Sequence, residues 1–105
     1  MQPAQLSLTF FERFEADILS GAKTITLRDE AESYYQVGAI YPVSTFEQGR
    51  WFCDVKILSV TPVAFDDLNE QHAHQENMTL DSLKAVIREI YPGIDSLFEI
   101  QYLLV

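Results

Sequence analysis

Lys23, Thr26 and Arg28 stand together in the segment Gly21-Ala22-Lys23-Thr24-Ile25-Thr26-Leu27-Arg28. An amine that can lose its proton, close to a hydroxyl that can gain nucleophilicity, is a minimal recipe for attack on a carbonyl. Arg28 adds a planar fork of donors able to fix a polar substrate, and Thr24 adds a second hydroxyl for the same purpose. The plain alternative is a solvated lysine at a strand start, two threonines of high β-propensity, and an arginine paired with Asp29, Glu30 or Glu32 on the surface. Residue types alone leave both open.

Strand alternation puts Thr24, Thr26 and Arg28 on one face and Ile25 and Leu27 on the other. Lys23 falls on the Ile25 face unless it precedes the pleat, in the turn after Gly21. Chemistry between Lys23 and Thr26 requires that second placement.

Other reactive residues form no comparable set. His72 and His74 are two apart, which on a helix does not converge on one ion, so a zinc site with Cys53 is rejected and the histidines are read as solvated. Cys53, the single cysteine, falls in an apolar strand pattern and reads as a small core residue. Glu76, in Gln75-Glu76-Asn77-Met78-Thr79, is by itself one carboxylate among many.

The elements that must position these groups follow from periodicity. Thr9 and Glu12 make a capping-box pattern, and Phe11, Phe14, Ile18 and Leu19 recur at helical spacing, so a helix is predicted over 9–20 and closed by Gly21. Strands are predicted over 23–28, 39–46, 51–60 and 97–105. Trp51, Cys53, Val55 and Ile57 share one face of the third strand, and Pro42 marks an edge or a bulge in the second. Residues 29–36 read as a loop, and 66–75 as a polar helix. A second clear helix starts at Thr79, turns Leu80, Leu83, Val86, Ile87 and Ile90 inward, and stops at Pro92-Gly93. The expected class is α+β, one domain over 1–105, with enough strand for a small β-barrel flanked by helices.

Bulk composition narrows the function. Seven Lys+Arg against 16 Asp+Glu give a net charge of −9. A stable complex with a long nucleic acid is not expected from such a chain, whereas a small-molecule substrate is. No apolar run approaches the roughly 20 residues that span a bilayer, and the start of the chain does not read as a signal peptide. A cytoplasmic protein without a membrane partner, cofactor or metal is expected.

The spacing Gly-x-Lys-x-x-Thr-x-Arg resembles the signature of the ASCH domain, a PUA-like barrel family whose fourth marked position is often glutamate. The departure at Thr26 is similar to the small bacterial ASCH-domain enzymes that act as N4-acetylcytidine amidohydrolases. Met1-Gln2-Pro3, Thr9-Phe10-Phe11, Arg28-Asp29-Glu30, Phe52-Cys53, Gln75-Glu76-Asn77-Met78-Thr79-Leu80 and Ile90-Tyr91-Pro92-Gly93 carry the likeness nearly end to end. The resemblance implies a PUA-like barrel and release of acetate from the modified nucleoside. It further implies Thr26 as nucleophile, Lys23 as proton acceptor and Glu76 as proton donor. The competing expectation is a PUA-like module that binds RNA or a modified nucleotide without catalysis.

Overall fold

The computed structural model describes residues 7–105, so the Met1-Gln2-Pro3 motif and the start of the chain lie outside it. Five strands, β1 (Leu8–Phe10), β2 (Ile25–Arg28), β3 (Ile40–Thr45), β4 (Trp51–Ala64) and β5 (Ser96–Leu104), form one sheet in the order β1-β3-β4-β5-β2. β1 runs parallel to β3, and every other pairing is antiparallel. This mixed sheet wraps into a half-barrel, the α+β architecture expected, with β1 and β2 as its two ends. Helices α1 (Glu15–Ser20), α2 (Glu70–Gln75) and α3 (Leu80–Ile90) cover it. None is long and apolar enough to cross a membrane.

The first helix is shorter than its periodicity suggested. Thr9 belongs to β1, whose ladder to Val43–Thr45 outcompetes the cap, and a 3-10 turn at Glu12–Phe14 precedes α1. The Glu12 N–H is satisfied instead by the Glu47 carboxylate, 35 residues away, at 2.9 Å. Gly21 ends α1 at φ 83°, the left-handed conformation that glycine adopts without strain. Thr79 caps α3 as expected, its Oγ1 accepting from the Ser82 N–H.

Two bulges in β4 break simple alternation. Val43 pairs with Cys53 but Ser44 pairs with Trp51, so Phe52 is the extra residue. Trp51 is thereby thrown off the face of Cys53, Val55 and Ile57 and is 58% exposed, a correction to the single face predicted for these four residues. Leu58 is the extra residue opposite β5; it points outward, and Val60 returns to the core. Pro42 sits beside the first bulge and outside the β1 register, in an interior strand.

Two cores result. Leu8, Ile18, Val43, Val55, Ile57 and Ile100 fill one, under the sheet. Leu27, Phe65, Leu68, Leu83, Ile87 and Leu97 fill the other, between α3 and the sheet. Each fully buried leucine or isoleucine is worth about 2–5 kcal/mol against alanine.

Candidate active site

β1 and β2 end the sheet, and the gap between them is closed by side chains where a closed barrel would have a main-chain ladder. Arg28 on β2 donates from Nη2 to the Thr9 carbonyl of β1 at 2.8 Å, and its guanidinium lies 4.8 Å from the centre of the Phe10 ring. A cavity of about 200 Å³ opens at this seam, where the two cores meet. Lys23, Thr26, Arg28 and Glu76 line it, beside apolar walls that include Phe10 and Ile87.

Lys23 precedes β2, as its chemistry required. Its N–H donates to the Asp17 carbonyl as α1 ends, and its carbonyl accepts from the Tyr102 hydroxyl. The side chain is therefore freed from strand alternation and turns inward, only 4% exposed, with Nζ donating to the Ile25 carbonyl at 2.9 Å. Thr26 and Arg28 share the cavity face of β2, and Arg28 Nε donates to Thr26 Oγ1 at 2.8 Å. That bond fills one lone pair of the hydroxyl and leaves its own proton free to be given up.

Glu76 reaches the same place from a different part of the chain. It caps α2 at its C-terminal end, its N–H bonded to the His72 and Ala73 carbonyls. Asn77 follows at φ 58°, a left-handed conformation that asparagine tolerates, and its amide donates to Asp17 on α1. The Thr24 N–H donates to the Gln75 carbonyl at 2.8 Å. These ties seat the Gln75-Glu76-Asn77 turn against Lys23. Glu76 Oε1 is in direct contact with Lys23 Nζ and has no other partner among the described residues.

Burial, then the Arg28 charge, lowers the Lys23 ammonium from 10.5 to about 7, with Asp17 opposing. A carboxylate in contact with the ammonium pulls the other way. The amine–acid pair and the ammonium–carboxylate pair hold the same number of protons, and burial favours the uncharged form.

The sequence reading missed part of the constellation. Arg28 Nη1 donates to Glu32 Oε2 at 2.8 Å, and the Tyr91 hydroxyl donates to Glu32 Oε1 at 2.5 Å. The i, i+4 spacing hinted at the Arg28–Glu32 pair, which borders the cavity and is more than the surface contact considered. Nothing in the sequence pointed to Tyr91. Thr24, by contrast, is exposed and does not line the cavity; it lies one residue before β2, so strand alternation does not govern it.

His72 is not solvated. Its Nδ1 accepts from the Asn69 N–H at 3.1 Å, completing a capping box, and its Nε2 lies 3.1 Å from Glu99. Cys53 is buried in the first core, where burial and the nearby Asp54 and Glu15 carboxylates push its thiol up to about 11. Among the described residues, no three of His, Cys, Asp or Glu converge as a metal site.

Comparison with known proteins gives this site a lineage. The chain is 66% identical over 98 residues to an N(4)-acetylcytidine amidohydrolase of Shewanella sp. (strain MR-4), covering 93% of this chain and 95% of that one. It is 65% identical over 99 residues to the protein of that name from Vibrio vulnificus (strain YJ016), covering 94% and 95%. Among solved structures, the ASCH domain from Lactobacillus crispatus JV V101 superposes with a TM-score of 0.72 at 19% identity, over 95% of this chain and 80% of that one. A protein from Enterococcus faecalis V583 gives 0.77 at 17% identity, over 100% and 79%. The ASCH domain model matches residues 6–86, a stretch that holds Lys23, Thr26, Arg28 and Glu76, and the chain belongs to the ASCH domain family.

Proposed function

We propose that this protein is an amidohydrolase that removes the acetyl group from N4-acetylcytidine, giving cytidine and acetate, with residues 1–105 acting as one ASCH domain. The observation that carries the proposal is the buried meeting of an amine, a carboxyl and an arginine-held hydroxyl around one cavity, in a chain about two-thirds identical to proteins of that name.

Lys23 acts as the base. With its ammonium lowered to about 7, about half of Lys23 is the neutral amine near that pH, and that amine takes the Thr26 proton. No hydrogen bond joins Lys23 to Thr26 among the described residues, so the two come into line as substrate fills the cavity; such contacts commonly tighten only in the complex. Thr26 Oγ attacks the acetyl carbon, forming a C–O bond while the carbonyl pair moves to oxygen as a tetrahedral oxyanion. Arg28 Nε stabilises the developing alkoxide, and its N–H groups beyond the three already bonded are left for substrate.

Collapse of the intermediate breaks the C–N bond. Glu76 protonates the departing cytosine nitrogen as it leaves, and the amine–acid form of the Lys23–Glu76 pair is the one that supplies both steps. The Lys23 ammonium then returns its proton to the Glu76 carboxylate, water attacks the acetyl-threonine as Lys23 takes the water proton, and that proton passes to Thr26 Oγ as its C–O bond breaks and acetate leaves. The apolar walls keep the pair dry and hold its charged form costly.

The test is incubation of the pure protein with N4-acetylcytidine, followed by chromatography for cytidine. Turnover supports the enzyme. Binding without turnover would replace it with the modified-nucleotide binding module, and neither result would abandon both readings.

A further inference from the structure

We propose that Glu32 and Tyr91 are positioning residues that lock the Arg28 guanidinium onto Thr26, so that the nucleophile is tuned from the rim of the cavity. The inference rests on the reading of Thr26 as nucleophile given above. It starts from a continuous chain of donors: Tyr91 hydroxyl to Glu32 Oε1, Arg28 Nη1 to Glu32 Oε2, Arg28 Nε to Thr26 Oγ1.

Each link is anchored in its own element. The Glu32 N–H is held in a 3-10 turn by the Asp29 carbonyl at 3.1 Å and the Asp29 side chain at 3.2 Å. Tyr91 caps the C-terminal end of α3, its N–H donating to the Ile87 carbonyl at 2.7 Å. Arg28 is fixed at three points, and a planar fork held at three points has one orientation. Without Glu32 only Thr9 and Thr26 remain, and the plane can turn.

The fold has little need of the relay. The Glu32 side chain is 40% exposed, and an ion pair so open to water adds little to stability. Yet Glu32 and Tyr91 both line the cavity, and burial together with the Glu32 carboxylate raises the Tyr91 phenol, which therefore stays a donor. A weak contributor to stability tied through Arg28 to Thr26 by two hydrogen bonds of 2.8 Å has the form of a positioning device.

The relay also neutralises charge. Lys23 faces Arg28 on β2, Asp17 on α1 and Glu76 at the end of α2. Glu32 offsets the Arg28 charge from the far side. Removing it exposes Lys23 to the full guanidinium charge and makes its ammonium easier to deprotonate.

Steady-state kinetics on N4-acetylcytidine test the proposal. Glu32→Ala is expected to lower kcat about tenfold, as loss of a charge-assisted hydrogen bond does, with KM changed less than about twofold. Tyr91→Phe is expected to act in the same direction and more weakly. In an Arg28→Lys background, Glu32→Ala is expected to cost nothing further, because a residue that acts through another is silent once that other is gone. The acid limb of the kcat/KM profile is expected to move to lower pH in Glu32→Ala and to stay in Tyr91→Phe. If Glu32→Ala does not fold, Glu32→Gln carries the same measurements. A raised KM with unchanged kcat would make Glu32 a substrate contact and overturn the relay, as would fully additive losses with Arg28→Lys. Absence of turnover by the unaltered protein sinks the amidohydrolase reading instead.

Discussion

Cys53 and Lys23 are both buried, one in the apolar core beneath the sheet and one in the seam between β1 and β2, and burial does opposite things to their chemistry. In each case a dry environment favours the uncharged form. For Cys53 that form is the thiol, pushed up to about 11 and silent as a nucleophile. For Lys23 it is the free amine, pushed down to about 7 and competent as a base. One physical effect yields inert packing in the first region and reactivity in the second, because a neutral thiol is a poor nucleophile and a neutral amine is a competent base. The regions differ further in partners. Cys53 lies in an aliphatic and aromatic cluster with the Asp54 and Glu15 carboxylates nearby, whereas Lys23 meets Glu76, the Ile25 carbonyl and the faces of Phe10 and Phe14.

The contrast breaks most sharply at Thr26. Thr26→Ala removes no large apolar group, so the protein should fold as before and lose roughly a thousandfold or more of its activity on N4-acetylcytidine. Thr26→Ser keeps the hydroxyl and should retain part of the rate. Near-normal turnover by a folded Thr26→Ala protein would falsify the nucleophile assignment.

Glu76 comes next. A general acid matters most for a reluctant leaving group, so Glu76→Gln should slow the amide about 100- to 10,000-fold and an activated aryl acetate ester far less. Equal slowing of both substrates would reduce Glu76 to a support for Lys23.

The pH profile sharpens the Lys23 half of the comparison. A base must be unprotonated, so kcat/KM should fall as pH drops through about 7. Lys23→Met should remove about 100-fold or more above pH ~7 and erase that limb, so that the gap narrows as pH falls. A limb near 10 would mean that an ionised Glu76 keeps Lys23 charged, and that the seam is an ion pair.

The smallest effect belongs to the core. Cys53→Ala should leave kcat and KM unchanged and cost about 1–2 kcal/mol of stability, read as a lowered melting midpoint. Thiol-directed reagents should likewise leave native activity intact. Loss of activity on alkylation without unfolding would show that the two regions are not chemically separate.

Much of this was legible in the chain. The Thr79 cap, the Gly21 terminus, the β5 run and the inward turn of Leu83 and Ile87 are local signals that formed as their neighbours dictate, whereas Ile90, expected inward, is 40% exposed at the end of α3. The first helix was misjudged because Thr9 satisfies a capping pattern locally but gains more from a strand ladder with β3. Trp51 was misplaced because an alternating pattern carries no mark of the bulge at Phe52. His72 was read as solvated because its partner, Glu99, lies 27 residues away.

The sequence by itself determined the α+β class, most of the elements, and a strand that carries Thr26; the predicted strand began at Lys23, and only the structure starts it at Ile25 and leaves Lys23 ahead of it. Only the tertiary structure decided that Glu76 meets Lys23, that Arg28 bonds Thr26 and reaches across to Thr9, and that Glu32 and Tyr91 stand behind Arg28. Local propensity depends on residues a few positions apart. A perturbed amine depends on what excludes water from it, and here that is Phe10, Phe14 and the α2 terminus, brought together by the curl of a sheet whose two end strands never pair.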